Sequence, residues 1–249
     1  MEIYKNIQYF KEIFSTNDYA THIIHEKQPP EFTVIVAHNQ TKGRGQLGNT
    51  WHSKQGENLT FSIIIYPQHI LARKQFIISE CISLALKHVI SQYCSNVSIK
   101  WPNDMYVENK KIAGILIEHT LVGQHIKSSV IGVGLNCNQT QFPDYLPNPT
   151  SLALCCNKQF PLQIILHAVL AEFERLYKQT FTNNFIHSEY NQYIYMKNKQ
   201  CIFEDAHGTF VGIIRDVNQQ GILTIEDEQK NMRTYAFKQV ALLKNNNNK

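Results

Sequence analysis

Between residues 98 and 133 four β-patterned stretches follow one another with only tight turns between them, and this limits the fold more than any other feature of the chain. The stretches are 98–101, 104–107, 111–120 and 126–133, the middle pair joined by Glu108-Asn109-Lys110. Parallel neighbours need a crossover of about a dozen residues, so strands this close in sequence pair antiparallel. A clean βαβ array is thereby excluded. Upstream, 32–37 and 58–66 read as two more strands around a Gly-rich loop. A Ser15-Thr16-Asn17-Asp18 cap opens a helical run toward His25 that Pro29-Pro30 closes. Ile78, Cys81, Ile82, Ala85, Val89 and Tyr93 recur at helical spacing within the glycine-free segment 72–94, which predicts a core helix. The expected class is α+β, a mixed or antiparallel sheet flanked by helices.

Helical patterning returns over 162–180 and 185–193, and at Met196-Lys197-Asn198-Lys199 the composition shifts. Short alternating stretches then cover 201–203, 209–216, 222–226 and 233–237, broken by Gly208, Asn218-Gln219-Gln220-Gly221 and Asp227-Glu228, as a small β-barrel requires. The chain therefore divides into a large unit over 1–196, a small C-terminal β-barrel over 197–244 and a disordered Asn-rich tail over 245–249. With 249 residues, 43% of them hydrophobic, the large unit can bury a substantial core.

Other classes are disfavoured by what the sequence lacks. Twenty-four Lys+Arg against 20 Asp+Glu leave a net charge of +4 spread along the chain, without the clustered basic face of a nucleic-acid binder. No stretch approaches the roughly 20 apolar residues of a membrane helix, and Met1-Glu2-Ile3-Tyr4-Lys5 turns polar at once. Six cysteines contain no C-x-x-C pair, and the vicinal Cys155-Cys156 is an awkward disulfide, so reduced thiols in a cytoplasmic protein are expected. There is no G-x-S-x-G and no H-E-x-x-H; His22-x-x-His25 reads as two solvent-facing histidines, and no structural metal is expected.

Gly43-Arg44-Gly45-Gln46-Leu47-Gly48 matches G-x-G-x-x-G literally, but Asn49-Thr50-Trp51 and a strand follow where the dinucleotide fingerprint needs a helix. What remains is a loop whose amides and one guanidinium can surround an anion. The blocks around it are informative in combination. Trp51 closes the loop; Gly56-Glu57-Asn58-Leu59 leads into a strand; Lys100-Trp101-Pro102-Asn103-Asp104 precedes Lys111-Ile112-Ala113-Gly114-Ile115-Leu116-Ile117-Glu118; and Gly132-Val133-Gly134-Leu135-Asn136 ends the meander. In this order the blocks resemble the biotin protein ligase family, strongly over about 12–155 and loosely in the C-terminal segment.

The resemblance implies a class II synthetase-like catalytic domain over 1–196, binding biotin and ATP, with an SH3-like barrel behind it. The implied reaction joins biotin to the α-phosphate of ATP, with Mg²⁺ accompanying the nucleotide, then transfers biotin to a lysine of a biotin carboxyl carrier protein. Both steps gather negative charge, which calls for positioned cations and amide donors. Arg44 and Lys111 are the implied catalytic cations. Ser15, Thr16, Asn17, Gln40, Gly43, Arg44, Gly45, Gln46, Lys111 and Gly114 are implied in biotin binding, where a buried urea needs two acceptors and a donor. Arg44, Trp51, Asn103, Asp104, Lys111 and Asn136 are implied in ATP binding. Ordinary roles stay open beside these: a helix cap for Ser15, a core aromatic for Trp51, and a turn for Asn103 and Asp104.

Two departures stand out. Gln46 occupies a position often held by a second arginine in the family, and the segment 137–149, where relatives place a nucleotide-covering loop, offers Phe142 and Tyr145 but no tryptophan. An order-on-binding loop is expected there. Only 14 residues precede Ser15, too few for the helix-turn-helix of repressor-type relatives, so a ligase without repressor function is expected. The alternatives are a lipoate or octanoate ligase or transferase of the same architecture, and a non-catalytic biotin or adenylate binder. Whether the protein is a monomer or a homodimer stays open.

Overall fold

The computed structural model describes residues 6–180 and 185–243; the first residues and the Asn-rich tail discussed above lie outside the described residues. The first half runs β1 (Ile7–Phe10), α1 (Thr16–Lys27), β2 (Thr33–Ala37), β3 (Leu59–Ile65), α2 (Phe76–Ile90), β4 (Val97–Lys100), β5 (Asp104–Val107), β6 (Lys110–Val122) and β7 (His125–Leu135). Then follow α3 (Leu152–Cys156), α4 (Leu162–Gln179) and α5 (Phe185–Gln192). The chain ends in β8 (Gln200–Asp205), β9 (Gly208–Val217), β10 (Leu223–Asp227), β11 (Met232–Tyr235) and β12 (Val240–Leu242).

Seven strands form one sheet in the order β1-β2-β3-β7-β6-β5-β4. Only β1 and β2 run parallel, so the sheet is mixed, and the meander from β4 to β7 is antiparallel throughout. Helices cover both faces. Ala20, Ile23 and Ile24 of α1 pack on Ile35, Ile64 and Val130, while α2, α4 and α5 carry the main core on the other face. Strands buried on both sides need apolar residues at successive positions, hence the unbroken run 34–37 and the near-continuous Leu59–Ile65. The expected helix over 72–94 is narrowed: 72–74 form a single 3₁₀ turn, because the Ala72 amide is drawn to the Gln124 carbonyl, and α2 begins at Phe76.

The C-terminal strands form a second, antiparallel sheet in the order β11-β10-β9-β8-β12. The expected closed barrel is corrected to an open sheet. Closure requires the two edge strands to bond, but β11 pairs only with β10 and β12 only with β8, and no pairing among the described residues joins β11 to β12. This sheet shares a continuous apolar core with the large one through Phe203, Ile214, Val217 and Ile225. Polar links reinforce the join. Asn191 of α5 exchanges both amide groups with the Val217 backbone, and the Trp101 indole donates to the Gly221 carbonyl at 2.9 Å.

Candidate active site

A cavity of about 510 Å³ opens between the two sheets, and all the expected site residues except Gly43 and Asn136 line it. Its floor is made where side chains are missing. Gly114 of β6 and Gly134 of β7 are register partners in the sheet, and the Trp51 indole lies flat against them. A Cβ on Gly134 would sit 2.5 Å from Trp51 Cζ2 and closer still to Cε2; one on Gly114 would sit 3.1 Å from Cζ3. Gly132, two residues along the same face, leaves room for the Asn17 amide in the same way. Trp51 thus covers the floor between the sheet and the cavity. Its Nε1 is buried without a hydrogen-bond partner among the described residues, as are Gln46 Oε1 and Asp104 Oδ1, so the wall holds one donor and two acceptors with unused hydrogen-bonding capacity.

The Gly-rich loop is a tight hairpin and not the approach to a helix. The Gly45 amide donates to the Asn49 carbonyl at 2.7 Å and the Trp51 amide to the Gly43 carbonyl at 2.9 Å. Gly43 is the position that must lack a side chain, because a Cβ there would sit 2.6 Å from the Trp51 carbonyl oxygen; at Gly45 the nearest atom would be 3.3 Å away. Its base is tied down by the amides of Thr41 and Lys42, which donate to the carbonyls of Ile13 and Phe14.

At the N-terminus of α1, Ser15 caps the helix by accepting from the Asp18 amide, 3.3 Å away, and so retains its own hydroxyl proton to donate. Gln40 Oε1 accepts from the Thr16 amide at 2.8 Å and from its hydroxyl at 3.1 Å. Asn17 is held more tightly. Its Nδ2 donates to Glu118 at 2.8 Å and to the Leu116 carbonyl at 3.2 Å, and its Oδ1 accepts from Ser62 at 2.6 Å. All three residues are buried. The helix cap and the cavity wall are therefore the same residues.

Arg44 reaches across the rim to Asp18 and Glu118, each at 2.7 Å. These groups are roughly 40–50% exposed, and ion pairs of that kind are worth about 0–1 kcal/mol, so the oxygens of an incoming anion can compete for the guanidinium. Lys111 Nζ lies 2.7 Å from Asp104 Oδ1, pairing the charges without the alignment of a hydrogen bond, and 5.8 Å from the centre of the Trp51 ring. The Lys111 backbone is bracketed: its amide donates to Asn148 and its carbonyl accepts from Thr150, both at 2.8 Å. Asn103 is pinned to β6 through the Ile115 carbonyl at 3.0 Å.

Asn136 is turned away. Its Nδ2 donates to the Thr150 carbonyl at 2.9 Å, which fastens the segment 148–150 beside β6. The segment expected to order on binding is anchored at its start, where Asn138 exchanges hydrogen bonds with Phe160 and Gln139 accepts from Asn58 and from the Lys54 amide, and at its end, where the Asn148 carbonyl accepts from the Lys111 amide.

Several wall residues were not singled out from the sequence. Lys100 lines the cavity with its Nζ 3.2 Å from the Tyr106 hydroxyl, and burial lowers its pKa below the usual lysine value. Phe237, Lys238 and Ala241 bring the second sheet into the wall. The glycine spacing at 132 and 134 was a usable signal for the floor, because residues two apart on a strand share a face. Nothing local marked the second sheet's contribution. Among the described residues no group of three His, Cys, Asp or Glu side chains gathers closely enough to hold a metal ion, and no helix is long and apolar enough to cross a membrane.

The chain is similar to known proteins in sequence and in fold. The sequence profile described as the biotin/lipoate A/B protein ligase family matches residues 9–136. The bifunctional ligase/repressor BirA of Bacillus subtilis is 28% identical over 233 residues, 91% of this chain and 71% of its own length. The biotin–protein ligase of Homo sapiens is 27% identical over 214 residues, 78% of this chain and 28% of its own. Among solved structures, the biotin protein ligase from Aquifex aeolicus in complex with biotin and ATP superposes with a TM-score of 0.78 at 24% identity, covering 97% of this chain and all of that one.

Proposed function

The chain belongs to the biotin/lipoate A/B protein ligase family, and from that membership together with the cavity we propose that it is an ATP-dependent biotin protein ligase. One observation carries the reading. A single cavity gathers Ser15 to Asn17, Gln40, the Arg44 loop, Asn103-Asp104 and Lys111, from blocks scattered over a hundred residues, onto a glycine floor under an indole. Such a pocket suits a small, flat, mostly apolar ligand with a few polar anchors. The human relative named biotin–protein ligase, matched over 78% of this chain, favours biotin as that ligand.

In the first step an oxygen of the biotin carboxylate attacks the α-phosphorus of ATP and pyrophosphate leaves. The residues hold and neutralise the reacting groups. The ureido ring takes hydrogen bonds from the α1 N-terminus and Gln40, while Arg44 and Lys111 exchange their carboxylate partners for the carboxylate and α-phosphate oxygens. Trp51 backs the adenylate from the floor, and its indole N–H has a phosphate or carboxylate oxygen to meet. Mg²⁺ accompanies ATP. Asp104 fits that role, since Mg²⁺ is commonly bound by one or two carboxylates and substrate phosphates, and this carboxylate faces the cavity beside Lys111. In the second step the amine of an acceptor lysine attacks the acyl carbon, loses a proton, and AMP departs. The acceptor is a biotin carboxyl carrier protein.

The division at 196/197 belongs to this reading: the first unit carries the chemistry and the second supplies one wall. Incubation with biotin, ATP, Mg²⁺ and a carrier domain lacking biotin should add one biotin to the carrier lysine, detected by mass. Lipoate added in its place would move the protein to the alternative within the family. Biotin binding without ATP consumption would mark a binder.

A further inference from the structure

A cluster of thiols outside the cavity is connected to it through the backbone. Cys94 follows α2, and Cys155 and Cys156 end α3. Cys94 Sγ and Cys156 Sγ are 4.0 Å apart, brought together across 62 residues of sequence, while Cys155 Sγ lies 3.5 Å from the Thr150 hydroxyl. The cluster is open to small reagents, because Cys155 is exposed, Cys156 half-buried, and Cys94 faces a shallow depression lined by Lys87 and Tyr193. All six cysteines are free thiols.

We propose that Cys94 and Cys156 form an oxidisable pair whose disulfide displaces α3 and, through it, the backbone bracket around Lys111. A hydroperoxide oxidises the Cys156 thiol to a sulfenic acid and is itself reduced, leaving as water when the reagent is hydrogen peroxide. The Cys94 thiol then attacks the sulfenic sulfur, loses its proton, and a second water leaves with the S–S bond formed. Two electrons leave the thiols and two reach the peroxide. The order follows access: burial and the neighbouring thiols raise the Cys94 pKa, so the more exposed Cys156 reacts first and Cys94 resolves.

Closing the 4.0 Å gap joins Cys156, the last residue of α3, covalently to Cys94, and the part of that approach that the two side-chain rotations do not supply is taken up by α3. Helix α3 has one and a half turns and follows directly on the strip 148–150. That strip receives the Lys111 amide at Asn148, donates to the Lys111 carbonyl from Thr150, and accepts from Asn136 Nδ2 at the Thr150 carbonyl. A displacement of α3 therefore reaches the residue on which the proposed chemistry depends, with only the cap Ser151 intervening.

The test treats the full chain with hydrogen peroxide, maps its peptides without reduction, and follows amide hydrogen exchange at Lys111 and Thr150. The expected result is a Cys94–Cys156 linkage, exchange at those two amides at least tenfold faster, and reversal of both by dithiothreitol. Cys94→Ser should abolish both effects, and Cys155→Ser should leave them in place. Linkage only between Cys155 and Cys156, only between molecules, or none at all overturns the pair; a Cys94–Cys156 linkage that leaves both amides unchanged overturns the coupling. A fall in adenylation on oxidation is also expected. That arm rests on the ligase reading, whereas linkage and exchange do not.

Discussion

Gly134→Ala isolates the contribution of the Trp51 position to binding. Gly134, next to last in β7, is paired on one side with Thr60 and on the other with Gly114, so its backbone has little freedom to retreat. Its φ is not in the left-handed region, and alanine suits the backbone itself. The new methyl would lie 2.5 Å from Cζ2 and 2.6 Å from Cδ2, where ordinary contact begins near 3.4 Å, so the indole must lift by about 1 Å. Overpacking of this kind costs about 1–3 kcal/mol. Taken from ligand binding, that is a loss of roughly 5- to 150-fold in affinity. The assay is the KM for biotin and for ATP in pyrophosphate exchange, with thermal melting alongside. A double-mutant cycle decides the cause: in a Trp51→Ala background the extra methyl has nothing to strike, so Gly134→Ala should become nearly neutral. An equal loss in both backgrounds, or wild-type KM values in Gly134→Ala, would refute the argument.

Three further outcomes follow from the geometry. Lys111→Ala should slow adenylation by about 10²-fold or more while the melting temperature changes little, as loss of a positioned cation does; single-turnover kinetics would show it. Gly43→Ala should impair the loop more than Gly45→Ala, because the former meets the Trp51 carbonyl oxygen at 2.6 Å whereas the latter's nearest atoms, the Asn49 Cβ and carbonyl oxygen, lie at 3.3 and 3.4 Å; biotin affinity of the two variants would reveal the order. His119, whose pKa burial lowers to about 4, is held neutral against Ser129. A base with a depressed folded pKa stabilises above its unfolded value near 6.5 and loses that contribution as pH falls through 6.5 toward 4, so melting temperature should drop over this window in the wild type and less steeply in His119→Asn.

The meander was legible because alternation and turn residues act locally, and Glu108 does adopt the left-handed backbone of a tight turn, at φ 54°. Strand β1 was not. Four residues at a sheet edge, with only Ile7 and Phe10 half-buried, leave little periodicity to read. The open C-terminal sheet was missed for a related reason, since alternation reports which face is buried but not whether two edge strands meet. In the site, the types and spacing of residues pointed to the chemistry, yet partners separated by 74 residues, such as Arg44 and Glu118, exist only in three dimensions. The orientation of Asn136 was equally non-local, set by the Thr150 carbonyl. Of the two loop glycines named for biotin binding, Gly43 is the one whose missing side chain the packing requires. Two glycines in one loop are indistinguishable until the chain they approach is known.

The central claim is tested most directly by biotin-dependent exchange of labelled pyrophosphate into ATP, with lipoate and octanoate run in parallel. Exchange with biotin alone is expected. Exchange that requires lipoate or octanoate, or none with any acid despite measurable biotin binding, would contradict it.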